Sequence, residues 1–177
     1  MLVNDVLDFS KLQSKSMAFN MGPVSVADIL SDTIEDEMPS IKQKGQEIIL
    51  EIADGVSKVH ADKLRLKQVL TNLVNNAIKF TPANGRIVIK ADNVDEMVKI
   101  SIIDNGIGIK AEDLGKIFDN FVQVDQSNSR SFGGTGLGLA IVRDLMKHMG
   151  GSIEVESEYG KGSIFSIFIP EEEPIKI

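Results

Sequence analysis

Asn72, Asn76 and Lys79 are spaced i, i+4, i+7 within DKLRLKQVLTNLVNNAIKFT (62–81), so on a helix they stack along one rim. Leu66, Val69, Leu70, Leu73, Ala77 and Phe80 form the apolar arc beside that rim, and Asn75 is expected to point away toward the polar side. Two amides and an ammonium at the border between core and solvent make a candidate ligand edge. They equally suit the solvated flank of an amphipathic helix, and the helix by itself leaves both readings open.

Two glycine-bearing stretches bear on that choice. DNGIGI (104–109) follows a strand-like run directly. A carboxylate at a strand end, Asp104, can accept a hydrogen bond from an exocyclic amine, and Gly106 and Gly108 let a flat ring approach the backbone. Gly106 to Ala111 also fits the loose G-x-G-x-x-A dinucleotide pattern, but no parallel βαβ unit is apparent around it, and a glycine-rich loop with no ligand is the plainer alternative. GGTGLGL (133–139) runs into a helix, where free backbone N–H groups and the helix dipole favour phosphate. No Walker loop occurs anywhere, so a nucleotide site here belongs to another class.

The elements that must position these residues alternate along the chain. Residues 1 to about 15 read as an amphipathic helix with no capping residue ahead of it, which suggests the end of a longer helix that pairs with a partner. Met17 to Val24 suits a short strand. Ser25 caps a helix through about Lys44, with Pro39 expected to kink or interrupt it. Gln46 to Ile52 is a strand and Val56 to Val59 a short extended piece before the long helix. Arg86 to Ala91 and Met97 to Ile103 form an antiparallel hairpin around the polar loop Asp92 to Glu96. A short helix starts near Glu112, and Thr135 to Met149 is a helix closed by Gly150-Gly151. Ile153 to Ser157 and Ser163 to Ile169 are strands, and the tail from 171 to 177 is expected to be loose. The order implies an α+β, two-layer domain: three main helices on one face of a mixed, mostly antiparallel sheet.

Composition narrows the function classes. The 177 residues suit one domain, and 42% hydrophobic with 25% charged residues is ordinary for a globular protein. No apolar run is long enough to cross a bilayer, so any membrane link lies outside this sequence, and the lack of cysteine fits a reducing, cytoplasmic setting. The absence of cysteine excludes disulfides and thiolate metal sites, and two isolated histidines do not make a zinc site. A net charge of −7 without a basic block argues against nucleic acid. An acidic protein that binds a polyphosphate needs local help from a metal ion, helix N-termini and a few placed cations.

NLVNNAIKF, DNGIGI, IFDNF and GGTGLGLAI, in this order and at these spacings, resemble the N, G1, F and G2 boxes of sensor histidine kinases, a branch of the GHKL ATPase superfamily. Gly160-Lys161-Gly162-Ser163 resembles the last glycine box, and LVNDVLDFSKLQ resembles the end of the dimerisation and phosphotransfer hairpin. The resemblance implies a Bergerat-type ATP-binding fold over 17–170, preceded by the end of the dimerisation helix (1–16). It implies ATP and Mg²⁺ as ligands. Asn76 would coordinate Mg²⁺, Asn72 would support its water shell, and Lys79 would contact phosphate. Phe80 would wall the pocket, Asp104 would accept the adenine amino group, and Gly106 and Gly108 would lie under the ring. Phe118 and Phe121 would anchor a lid running from Gly106 to Phe132. Arg130 and the backbone of Gly134, Thr135, Gly136, Leu137 and Gly138 would reach the triphosphate.

The resemblance also separates branches. ATP-hydrolysing relatives carry a water-activating glutamate one turn before the metal asparagine, and here that position is Asn72, a weak base. The acceptor motif, similar to S-H-E-L-R-T-P-L, is absent, and neither His60 nor His148 is a credible phosphoacceptor. The implied protein is a histidine kinase catalytic fragment that phosphorylates a histidine-bearing dimerisation domain of a homodimeric parent, with a response regulator or receiver domain downstream. The alternatives on the same fold are an ATP-hydrolysing clamp and a nucleotide-binding docking module.

Overall fold

The computed structural model describes residues 6–7, 10–12, 14, 16–56, 58–120, 122 and 136–172. The first element, β1 (Met21–Ser25), passes directly into α1 (Val26–Gln43), and the Ser25 hydroxyl caps that helix by accepting the Asp28 N–H at 3.3 Å. Pro39 does not interrupt α1. It removes one donor, but Ile29, Leu30 and Thr33 before it and Ile41 after it are all buried, and that packing carries the helix through to Gln43.

Next come β2 (Glu47–Ile52), β3 (Lys58–Asp62) and α2 (Lys63–Phe80). The Asp62 carboxylate starts α2 by accepting the Arg65 N–H at 3.0 Å, and it also accepts the Asn20 N–H at 2.7 Å. The hairpin β4 (Arg86–Val94) and β5 (Met97–Asp104) is longer than the alternation implied. Asp95 adopts φ +56°, which closes the turn in two residues and lets pairing continue to Val94 opposite Met97. A single-turn α3 (Ala111–Leu114), then α4 (Gly138–His148), β6 (Ser152–Glu158) and β7 (Gly162–Pro170) complete the described elements.

Five strands form one sheet in the order β2-β4-β5-β7-β6, with β2 parallel to β4 and the other pairs antiparallel; β1 and β3 form a separate antiparallel ribbon. Register aligns one apolar face: Ile89 opposes Ile102, Ala91 opposes Ile100, and Ile102 and Ile100 oppose Phe165 and Ile167 on β7. These side chains share a core with Leu66, Val69, Leu70, Leu73 and Ala77 of α2 and Ile141 and Leu145 of α4. At one end of the same rows, Asp104 stands between Ile87 and Ser163. The carboxylate therefore terminates a hydrophobic stripe under the helices, which is why it is buried.

Asn75 lies on the polar side of α2, partly buried there: its Nδ2 donates to Glu37 Oε1 at 3.1 Å, and Lys67 pairs with Asp36 at 2.9 Å nearby. The flank that is polar on the isolated helix faces α1 in the fold. The expected loose tail starts later than 171: Glu171 bridges Val59, the Glu172 N–H donates to the Lys58 carbonyl at 3.1 Å, and the Glu172 carboxylate meets His60 at 2.7 Å, while 173–177 lie outside the described residues. Of the first helix, Leu12 packs in the domain core while Val6 and Leu7 are exposed. No helix among the described residues is long and apolar enough to cross a membrane.

Candidate functional site

Asn72, Asn76 and Lys79 are each partly buried along one edge of α2, beside Leu73 and Ala77, which are in the core. The rim of the helical wheel thus survives as a rim of the folded domain. Gly138, the first residue of α4, lies over it, where a Cβ would stand 3.6 Å from Asn72 Oδ1. The described end of the G2-like run is therefore brought onto the amide edge at Gly138. Leu137 is fully buried just before it, and its carbonyl accepts the Ile141 N–H at 2.9 Å, fixing where the helix begins. Gly136 takes φ +68°, a turn that a glycine makes without strain.

The C-terminal turn of α2 meets the DNGIG loop directly. The Phe80 carbonyl accepts the Ile107 N–H at 3.2 Å, and a Cβ on Gly106 would lie 2.5 Å from that same oxygen. No side chain fits there, so Gly106 is required by close approach. Gly108, at φ +67°, has no room either, because its Cβ would run into the Glu158 carbonyl. Asp104 Oδ1 accepts the Gly106 N–H at 2.8 Å. Burial pushes the Asp104 carboxyl above the ordinary carboxylate range, partly opposed by the backbone N–H groups of Gly106 and Ser163, which bond the ionised form. The result is a buried acceptor held in place by its own loop.

Lys79 sits with its Nζ 4.9 Å from the centroid of the Phe80 ring, and burial lowers its ammonium from the usual lysine value. A nearby polyanion reverses that shift by favouring the charged form. Phe118 packs against the core. Phe121, Arg130, Gly134 and Thr135 lie outside the described residues, as does most of the expected lid beyond Asn120. The described part of the site therefore joins the amide rim, the Asp104 loop and the start of α4.

Sequence reasoning passed over three residues that hold this arrangement. The Ser157 hydroxyl accepts the Ile109 N–H at 2.8 Å, donates to the Gly162 carbonyl at 2.9 Å and meets the Ser163 hydroxyl at 2.8 Å, tying the loop to the β6–β7 turn. Lys44 Nζ donates to the carbonyls of Ile78, Lys79 and Thr81, and Gln46 Nε2 to those of Ile78, Thr81 and Pro82. The local signal was Pro82: with no N–H, it cannot donate to the Ile78 carbonyl four residues earlier, so that oxygen needs a donor from elsewhere.

His148 Nδ1 lies 2.8 Å from the Asp144 carbonyl and its ring stacks on Phe19 at 5.2 Å, a structural setting at the end of α4. Among the described residues no group of three or more His, Cys, Asp or Glu gathers to hold a metal.

Residues 61–173 match the family model of the histidine kinase-, DNA gyrase B- and HSP90-like ATPases. The chain is 42% identical over 172 residues to the sensor protein GacS of Pseudomonas syringae pv. syringae, covering 94% of this chain and 19% of that protein. Among solved structures it superposes on full-length ShkA in complex with AMPPNP with a TM-score of 0.86 at 34% identity, over 98% of this chain and 36% of that one. The nucleotide-free catalytic domain of the histidine kinase ThkA gives 0.76 at 30% identity, over 86% of this chain and 97% of that domain. ThkA has also been crystallised in complex with the response regulator protein TrrA. The chain spans about a fifth of the length of GacS and nearly the whole of the ThkA domain. With the amide rim, the buried aspartate and the glycine loops already in place, these matches show that the chain belongs to the histidine kinase-, DNA gyrase B- and HSP90-like ATPase family, as the catalytic, ATP-binding domain of a sensor histidine kinase.

Proposed function

We propose that this domain binds Mg·ATP across α2, the Asp104 loop and the start of α4, and delivers the γ-phosphoryl to a histidine on the dimerisation hairpin of its parent kinase. The observation that carries the reading is the convergence of the Asn72–Asn76–Lys79 rim with Gly138 on one side and the Phe80–Ile107 contact on the other. Asp104, oriented by the Gly106 N–H, accepts the adenine amino group; Gly106 and Gly108 leave the backbone open to the ring. Phe80 walls the pocket, and Phe118 anchors the lid. Lys79 meets phosphate, and the backbone N–H groups of Gly136, Leu137 and Gly138 at the start of α4 supply further donors to it.

The donor set fits Mg²⁺. Asn76 offers one amide oxygen and Asn72 a second that can hold water, with no carboxylate cage among the described residues. Mg²⁺ keeps several waters and binds through few protein ligands plus substrate phosphates. When bound, it neutralises charge on the phosphate oxygens. The protein's own part is positioning and electrostatics. The acceptor imidazole attacks the γ-phosphorus, the bond to the bridging oxygen breaks, and ADP leaves. Asn72 stands where hydrolysing relatives hold a glutamate, so the site holds ATP for a nucleophile other than water.

The same reading makes residues 1–16 the end of the dimerisation helix of a homodimeric parent, places the domain in the cytoplasm, and makes a response regulator or receiver domain the next phosphoryl acceptor; the ThkA complex with TrrA supports such a partner. The test mixes the chain with γ-labelled ATP and the parent's dimerisation hairpin. Acid-labile phosphohistidine that depends on both components is the expected product. Rapid ATP turnover by the chain alone, with no label on the hairpin, overturns the proposal.

A further inference from the structure

The C-terminal turn of α2 carries Lys79 and Phe80, and it ends in an unusual way. Thr81 is extended (φ −85°, ψ 130°) because Pro82 follows, so there is no left-handed cap, and the Ile78 carbonyl has lost its helical donor. Lys44, the last residue of the α1 boundary, supplies the missing charge. Its Nζ lies 2.7 Å from the Ile78 carbonyl, 3.0 Å from that of Lys79 and 3.1 Å from that of Thr81. Gln46 adds bonds of 3.0 Å to Ile78 and 2.7 Å to Thr81, and both Gln46 and Thr81 are buried. A cation on the last carbonyls of a helix is the arrangement that its dipole favours.

The clasp is anchored on its outer side. The Asn84 N–H donates to the Lys44 carbonyl at 3.0 Å, and the Glu47 N–H donates to the Gly85 carbonyl at 2.9 Å. On the opposite side of the same helical turn, the Phe80 carbonyl receives the Ile107 N–H. Ile78, Lys79, Phe80 and Thr81 therefore spend successive carbonyls on two different loops: Lys44 and Gln46 on one side, the adenine-side loop on the other. Lys44 holds the carbonyls of Ile78, Lys79 and Thr81, whereas the Phe80 carbonyl keeps its own anchor in Ile107, so loss of Lys44 displaces the Lys79 side chain more than the Phe80 wall.

We propose that Lys44 is a positioning residue for the nucleotide site: by seating an ammonium on the carbonyls of Ile78, Lys79 and Thr81, it sets where Lys79 meets phosphate. This rests on the proposed role of Lys79. Because Lys44 acts through a phosphate-binding residue, its loss weakens ATP more than adenosine, which a general loss of stability does not do.

The experiment measures MgATP and adenosine affinity by calorimetry for the unaltered chain, Lys44→Ala and Lys44→Gln, with thermal unfolding of each. Lys44→Ala is expected to weaken MgATP about tenfold while adenosine changes by less than about threefold. n-Propylammonium replaces the atoms that this variant lacks, and it should restore MgATP affinity to Lys44→Ala without affecting the unaltered chain. Lys44→Gln keeps a donor without the charge and should fall between the two, so it carries the test if the alanine variant does not fold. Equal weakening of ATP and adenosine, or unchanged ATP affinity in a folded variant, overturns the proposal, as does weakening that propylammonium leaves in place. Failure of the unaltered chain to bind MgATP would instead overturn the functional reading on which this one rests.

Discussion

Gly138 stands over Asn72: a Cβ on the first residue of α4 would lie 3.6 Å from the Asn72 side-chain oxygen. That separation is an ordinary van der Waals contact for a methyl group. Gly138→Ala should therefore keep MgATP affinity within about threefold and raise stability by roughly 0.5–1 kcal/mol, because alanine is the better helix former. Gly138→Leu forces itself into Asn72 and should cost about 1–3 kcal/mol of binding, tenfold or more. Calorimetry and thermal unfolding separate the two; an alanine variant as defective as the leucine one contradicts the packing account.

Asn76 is partly buried in the middle of α2, where alanine has the higher helix propensity. Asn76→Ala should leave the unfolding midpoint nearly unchanged. Mg²⁺-dependent ATP binding should fall further than the roughly 10–100-fold that follows loss of an outer-shell metal partner. Titrating ATP with and without Mg²⁺ checks this, since the variant should show little difference between the two. Retention of the full Mg²⁺ effect removes Asn76 from the metal.

Asp104 ties stability and binding to pH in opposite directions. Its folded carboxyl titrates above the ordinary value of 3.8 because it is buried, so the folded state binds that proton more tightly than the unfolded one. The stability it contributes is full below 3.8 and is lost as pH rises through the raised value. Nucleotide affinity runs the other way and falls as pH drops through that value, because the protonated carboxyl is a poorer acceptor for the adenine amine. Asp104→Asn should leave the midpoint at pH 7 no lower than that of the parent while weakening ATP by about 2 kcal/mol. A stability profile that rises with pH through this range in the parent but not the variant contradicts the assignment.

Gly106 tests the close approach of loop and helix. Its Cβ would lie 2.5 Å from the Phe80 carbonyl oxygen and 2.7 Å from Asp104 Oδ1, and backbone has to move to admit it. Gly106→Ala should destabilise the fold by about 1–3 kcal/mol and weaken ATP together. Gly115→Ala is the control, because nothing lies within 4 Å of a Cβ there, and it should change neither. Equal behaviour of the two variants would show that backbone freedom rather than contact is what matters.

Most of the architecture was legible in the residues. Ser25 caps its helix as local spacing implies, the alternation of the three central strands, β4, β5 and β7, runs where the sheet forms, and the rim of Asn72, Asn76 and Lys79 lies on one edge of α2. These follow from periods of 3.6 and 2 and from donors within a few residues of their acceptors, which any reader of the chain can count.

What the sequence alone determined was which residues share a face and which stretches can turn; only the tertiary structure decided what those faces meet. The helical wheel places Asn75 on the polar side but has no neighbouring helix to show, and it is α1 that supplies its partner, Glu37. Asp104 reads as a strand-end carboxylate in sequence; its burial comes from Ile87 and Ser163 on two other strands. Lys44 looked like one more lysine near a helix end, yet it caps another helix whose own donor is missing at Pro82. Hydrogen bonds and desolvation act over ångströms, not over residue numbers, so contacts between distant segments exist only once the sheet has set its register.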